Sequence, residues 1–162
     1  MKKPIKKAVS YAAIDDKGNI LLVKRPADDK DLPNVWGLPA GGVKEDESWE
    51  KATVRSGKEK LGVNLEIKEE LGEGKLDREK YTLHMKLFGV SIPEGEKPVV
   101  PQPLEGITQY VDSKWATPDE IVEHLKITAP QGSLCCTLFL VKKGVLGERD
   151  IKAWHATLVK NK

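Results

Sequence analysis

From Gly41 to Val63 the chain reads Gly-Gly-Val-Lys-Glu-Asp-Glu-Ser-Trp-Glu-Lys-Ala-Thr-Val-Arg-Ser-Gly-Lys-Glu-Lys-Leu-Gly-Val, and these 23 residues constrain the fold more than any other stretch. Two glycines open a turn, a charged loop follows, and Ser48 is a suitable N-cap whose hydroxyl can accept a hydrogen bond from the first helical turn. Glu50 then sits at the positive end of a helix expected from Trp49 to about Lys60, with Gly62 as its stop. Val54 and Leu61, seven residues apart, are expected on one side of it. Gly57 works against that helix by about 1 kcal/mol relative to alanine. Loop, helix and loop are therefore expected in immediate succession.

The flanking sequence places this unit among strands. Ala8 to Ile14 and Ile20 to Val23 are β-type runs separated by the turn formers Asp15-Asp16-Lys17-Gly18-Asn19, and Pro26 ends the second run. Ala27 to Asn34 reads as an exposed loop. Val63 to Ile67, Tyr81 to Ile92 and Thr108 to Val111, the last running up to Trp115, are expected strands, with four prolines making Pro93 to Pro103 an irregular connection. Thr117 followed by Pro118 starts a short helix through Leu125, and a last helix is expected over Leu134 to Val141. Strands interleaved with helices indicate a mixed sheet covered by helices. The 162 residues fit a single domain spanning 1 to 162, with no internal repeat.

With Gly41, Glu47, Arg55, Glu59, Gly62 and Val63 in place, the stretch resembles the Nudix box, G-x5-E-x7-R-E-U-x-E-E-x-G-U, where U is a bulky aliphatic residue. The approach Trp36-Gly37-Leu38-Pro39-Ala40 and the later Trp115 with Pro118-Asp119-Glu120-Ile121 are similar to the corresponding parts of that family. The resemblance implies an α/β fold, a Nudix-type α/β/α sandwich with a mixed β-sheet. A register ten residues later places Glu66, Ile67, Glu69, Glu70 and Gly72 on the second half of the box. That register drives a helix through Gly62 and Val63 and loses the glycine approach, so the first is preferred.

Three box positions depart from the pattern: Ser56 and Lys60 stand where the family has glutamates, and Gly57 where it has an aliphatic residue. Magnesium is held by a few carboxylates together with substrate phosphates. Positions 56, 59 and 60 share one helix face, expected to lie beside a cleft with room for long polar side chains. Ser56 (0), Glu59 (−1) and Lys60 (+1) give that face no net charge, so Mg2+ or Mn2+ is expected to bind weakly.

The resemblance gives Glu59 the catalytic and metal-ligating role and gives Arg55 and Glu47 the task of holding the loop to the helix. Read without it, Arg55 and Glu59 are an i, i+4 ion pair worth a few tenths of a kcal/mol, roughly the usual value. Gly41 and Gly42 form a tight turn whose backbone a substrate phosphate can approach, and Lys60 can meet a phosphate as a point charge. Glu105 is the candidate for an extra metal-binding carboxylate from a later loop, with Glu94 and Glu96 as weaker alternatives and Glu45 and Asp46 as others nearby. His84, His124 and His155 show no metal spacing, and Trp36, Trp115 and Tyr110 are either base-stacking or core residues.

Near-balanced charge, 27 basic against 25 acidic residues, gives no indication of nucleic-acid binding. No apolar run is long enough for a membrane span, and no export segment is evident. Adjacent Cys135 and Cys136 are ill placed to pair with each other, which points to inert thiols in a reducing, cytoplasmic location. The expected activity is hydrolysis of a nucleoside diphosphate linked to another moiety, weakened by the altered box. A binding module for a nucleotide or phosphorylated ligand, without catalysis, is the competing reading.

Overall fold

The computed structural model describes residues 3–103 and 109–159, and two of its strands carry stretches buried on both faces at once. Strand β1 (Ile5–Ala13) turns Val9, Tyr11 and Ala13 toward one core and Ala12 toward another. Strand β2 (Ile20–Lys24) divides Leu21 and Val23 from Ile20 and Leu22 in the same way. Because side chains alternate along a strand, both faces must be apolar, which explains the nearly continuous hydrophobic runs in the sequence.

Two short strands, β3 (Trp36–Gly37) and β4 (Ala40–Gly42), precede helix α1 (Trp49–Leu61). Strand β5 (Glu66–Asp77) pairs with β6 (Thr82–Ser91), strand β7 (Asp112–Ala116) leads into helix α2 (Pro118–Thr128), and a 3-10 turn leads on to helix α3 (Leu134–Lys142). Helix α4 (Glu148–Lys152) and strand β8 (Ala156–Leu158) complete the described chain. The larger sheet runs β4-β1-β6-β5-β8, with β1 parallel to β6 and its other pairs antiparallel. The smaller, β3-β2-β7, is antiparallel throughout.

Helix α1 covers the core containing Val9, Tyr11, Leu21 and Phe88, whereas α2 and α3 cover the core of Leu22, Leu38, Leu87 and Leu125. The result is helices on both faces of the sheets, an α/β/α arrangement with a mixed sheet. Helix α3 is buried from Leu134 through Leu140, as befits a helix apolar all round. It contains Cys135 and Cys136, both free and buried. No helix among the described residues is long and apolar enough to cross a membrane.

Several boundaries differ from the sequence reading. Val63 and Leu65 are buried but not in a strand; the strand begins at Glu66 and runs to Asp77. Glu69 and Glu70 thus lie in a strand, which removes the later register of the box. The strand expected from Thr108 up to Trp115 is found at Asp112–Ala116, so its end is met and its start comes later, with Thr108 itself outside the described residues. On α1 the buried residues are Ala52, Thr53, Ser56, Gly57 and Leu61, while Val54 is exposed. Small side chains, rather than a Val54/Leu61 stripe, let this helix lie close to the sheet.

Candidate active site

Both ends of α1 are closed by the residues expected to close them. Ser48 Oγ accepts from Lys51 N at 3.1 Å, and Gly62, at φ 71°, directs its N–H to the carbonyls of Gly57 and Lys58. A left-handed residue at that position costs glycine little and other residues more.

Arg55 binds the helix to the preceding loop. Its Nε donates to Glu47 Oε2 at 2.8 Å, Nη2 donates to Glu47 Oε1 at 2.8 Å and to the Gly42 carbonyl at 2.7 Å, and Nη1 reaches both oxygens of Glu59 at 3.1 Å. The planar guanidinium is suited to this forked geometry. The hydrogen bond from Arg55 lowers the Glu47 carboxyl to about 2, against the cost of desolvation and with help from the Lys44 N–H; the Arg55 guanidinium is raised in turn. Arg55 is therefore more than half of an i, i+4 pair.

The three altered positions lie close together with different surroundings. Ser56 is 1% exposed, and its Oγ stands 3.0 Å from the Tyr11 hydroxyl. A β-carbon on Gly41 would approach Ser56 Oγ to 2.5 Å, so glycine permits the close approach of β4 to α1. The expected cleft-facing room at position 56 is absent because Tyr11 and Gly41 occupy that side. Gly57 is also covered: an added β-carbon would come within 2.5 Å of Leu65 Cγ, so Leu65 fills the space of the missing aliphatic side chain. Lys60 Nζ donates to the Ala40 carbonyl at 2.6 Å and stands 5.2 Å from the centre of the Tyr110 ring.

These residues do not make a cage for Mg2+ or Mn2+. Both Glu59 oxygens accept from Arg55, Ser56 is enclosed, and Lys60 supplies positive charge. Glu45, Asp46 and Glu94 are exposed, whereas Glu96 accepts from Asn64 N at 2.8 Å and ties the proline-rich loop to the chain after α1. Glu105 lies outside the described residues. Among the described residues, no group of three or more histidine, cysteine, aspartate or glutamate side chains is placed to hold a metal ion.

Beside α1 lies a cavity of about 180 Å³ whose walls include Arg25, Gly41, Lys60, Arg78 and Tyr81. Arg25 and Asp31 also line a neighbouring cavity of about 690 Å³, which reaches Gln109, Tyr110 and Val111. Gly41 and Lys60 therefore meet at one cavity; Gly42, whose carbonyl engages Arg55, does not line it. Arg25 and Arg78 were missed in the sequence because they lie 53 positions apart with no local motif. Tyr110 is core: its hydroxyl accepts from Ala40 N at 2.8 Å and donates to Ala40 O at 3.0 Å. His84 pairs with Glu73 at 2.6 Å, and His124 packs beside Trp36.

Residues 4–136 match the model of the NUDIX domain. The chain belongs to the Nudix family. It is 33% identical over 108 residues to a Bacillus subtilis (strain 168) protein provisionally named as an 8-oxo-dGTP diphosphatase, a match covering 67% of this chain and 64% of that protein. To the CTP pyrophosphohydrolase of Escherichia coli (strain K12) it is 32% identical over 82 residues, covering 51% of this chain and 60% of the relative. The chain thus spans less than two thirds of both curated relatives. The Nudix fold is shared with the MutT protein of Methanosarcina mazei Go1, with a TM-score of 0.66, 18% identity and coverage of 89% of this chain and 96% of the other. A Nudix hydrolase from Nitrosomonas europaea gives a TM-score of 0.66, 17% identity and coverage of 88% and 89%.

Proposed function

We propose that this chain is a slow Nudix-type hydrolase of a nucleoside diphosphate linked to another group, a class whose simplest members are nucleoside triphosphates. The observation that carries this reading is the intact Arg55 clamp, joining Glu47, Glu59 and Gly42 beside a cavity that presents Lys60 and Gly41. The names of the relatives in B. subtilis and E. coli, a diphosphatase and a pyrophosphohydrolase of nucleotides, support the substrate class.

Hydrolysis requires positioning of the diphosphate and stabilisation of the charge that develops on its oxygens. In this reading Lys60 and the Gly41 backbone, which line one cavity, orient phosphate, and Arg55 fixes the loop from which that backbone comes. Glu59 is tied to Arg55, so its carboxylate is held rather than left to swing. Free protein should bind Mg2+ or Mn2+ weakly, because one carboxylate remains where the family has three. The buried thiols Cys135 and Cys136 fit a reducing, cytoplasmic location.

A second reading, a nucleotide-binding module without turnover, is favoured by the Lys60 ammonium at 2.6 Å from Ala40 O. A panel of nucleoside triphosphates, nucleotide sugars and dinucleotides, assayed with magnesium and with manganese beside a binding measurement, separates the two. Turnover above the rate of the Glu59→Gln variant is expected; saturable binding with no turnover on any substrate assigns the binding module.

A further inference from the structure

We infer that the cavity between Arg25, Lys60 and Arg78 binds the diphosphate group of a nucleotide directly through side-chain cations, without a divalent ion. This rests on the nucleotide-substrate reading above but concerns how the anion is held, not whether it is cleaved. At about 180 Å³ the cavity is smaller than the roughly 300–1,000 Å³ that encloses a whole small molecule, so it takes part of a ligand. The neighbouring space of about 690 Å³, which shares Arg25 and Asp31 in its walls, is where the remainder would lie.

Beside the carboxylate of Asp31, the small cavity presents three cationic side chains, Arg25, Lys60 and Arg78, with donor capacity left unused. An ammonium has three hydrogens, and one of those on Lys60 is directed at Ala40 O. Arg78 Nη2 donates to the Gly132 carbonyl at 3.0 Å and Nη1 stands 3.8 Å from Asp31, while its buried Nε has no hydrogen-bond partner. Buried polar atoms are ordinarily paired, and this enclosed Nε is an exception; the donor capacity that Arg78 can offer an anion lies on its Nη groups, each of which carries two hydrogens. Arg25 Nη1 is 3.2 Å from Asp29, leaving the planar group anchored at one end. Three cations against the carboxylates of Asp29 and Asp31 leave an excess of one positive charge, opposite to what a dication needs and suited to phosphate oxygens. Lysine at position 60 thus delivers charge to the ligand directly, where a glutamate would deliver it through metal.

The test is calorimetric titration of the full chain with inorganic pyrophosphate and, separately, with ADP, both in EDTA. Saturable binding of both is expected, with ADP tighter because the adjoining cavity receives its nucleoside. Lys60→Met and Arg78→Gln should each weaken binding at least tenfold, with Arg78→Gln, which also gives up the bond to Gly132 O, titrated below its own lowered melting temperature, and Lys60→Arg should retain most of the binding. Binding that requires added magnesium, or that neither variant weakens, overturns the inference. Pyrophosphate binding tighter than ADP overturns the nucleotide assignment. EDTA-resistant binding with no turnover in the substrate panel supports the cation site while refuting the hydrolase; turnover without EDTA-resistant binding does the reverse.

Discussion

Leu65 packs into the space above Gly57, close enough that a β-carbon there would lie 2.5 Å from Leu65 Cγ. Alanine at 57 should gain about 1 kcal/mol of helix propensity but lose more by displacing a side chain that is 5% exposed. Overpacking of this kind costs roughly 1–3 kcal/mol, so Gly57→Ala is expected to be net destabilising by about 1 kcal/mol. Leu65→Ala alone should cost about 2–5 kcal/mol through the cavity it leaves. In the Leu65→Ala background, Gly57→Ala should become stabilising. A double-mutant cycle in urea checks this; additive effects would show that the two positions do not share one space.

The Arg55 clamp should give stability a defined acid dependence. Glu47 has its carboxyl lowered from 4.5 to about 2 in the folded chain, so its contribution is fully present above about pH 4.5 and disappears as pH falls through about 2. Glu47→Gln should flatten that part of the stability curve. Arg55→Met, which also removes the bond to Gly42 O, should cost about 1–3 kcal/mol at neutral pH. Urea melts between pH 2 and 7 test both, and an unchanged acid limb in Glu47→Gln would assign the titration elsewhere.

Rebuilding the carboxylate face should succeed at position 60 and fail at 56. Ser56→Glu buries a charged group against Tyr11, whose hydroxyl is itself held well above its ordinary pKa by burial and by Tyr110, and should destabilise the chain severely. Lys60→Glu changes the face from 0 to −2 at a half-buried site and should fold. Magnesium should then stabilise it by about 1.4 kcal/mol at ten times Kd, while the parent shows little response. Melting curves with and without magnesium decide the matter; a stable Ser56→Glu would mean that α1 can move away from β4.

Tyr110→Phe removes the hydroxyl that accepts from Ala40 N and donates to Ala40 O. The N–H is left without that partner in a buried setting, so a loss of about 1–3 kcal/mol is expected. Thermal denaturation measures it, and a loss under a few tenths would show that another acceptor replaces the hydroxyl.

Much of α1 was legible because its determinants are local: Ser48, Gly62 and the spacing from Glu47 to Arg55 all act within one segment. Strand β5 was not, since Glu66-Ile67-Lys68-Glu69-Glu70-Leu71-Gly72-Glu73 is mostly charged and its pairing shifts register between Ile67 and Glu69 and again between Glu70 and Gly72. Those irregularities erase the two-residue period on which a strand is recognised. Strands β3, β4 and β8, two or three residues each, are too short to show any period. At the site, the sequence indicated which carboxylates were missing but not where position 56 faced. Whether Ser56 meets solvent or Tyr11 depends on packing between residues 45 positions apart.

The Ala40 carbonyl accepts from two side chains, the Tyr110 hydroxyl and the Lys60 ammonium. A carbonyl has two lone pairs, and Tyr110 occupies one whether or not Lys60 is present. Lys60 can therefore swing away from its perch without orphaning the backbone oxygen behind it. On leaving, the ammonium gives up one charge-assisted bond of its own but strands no buried acceptor, so an arriving anion has only that one bond to replace within reach of the four-carbon tether.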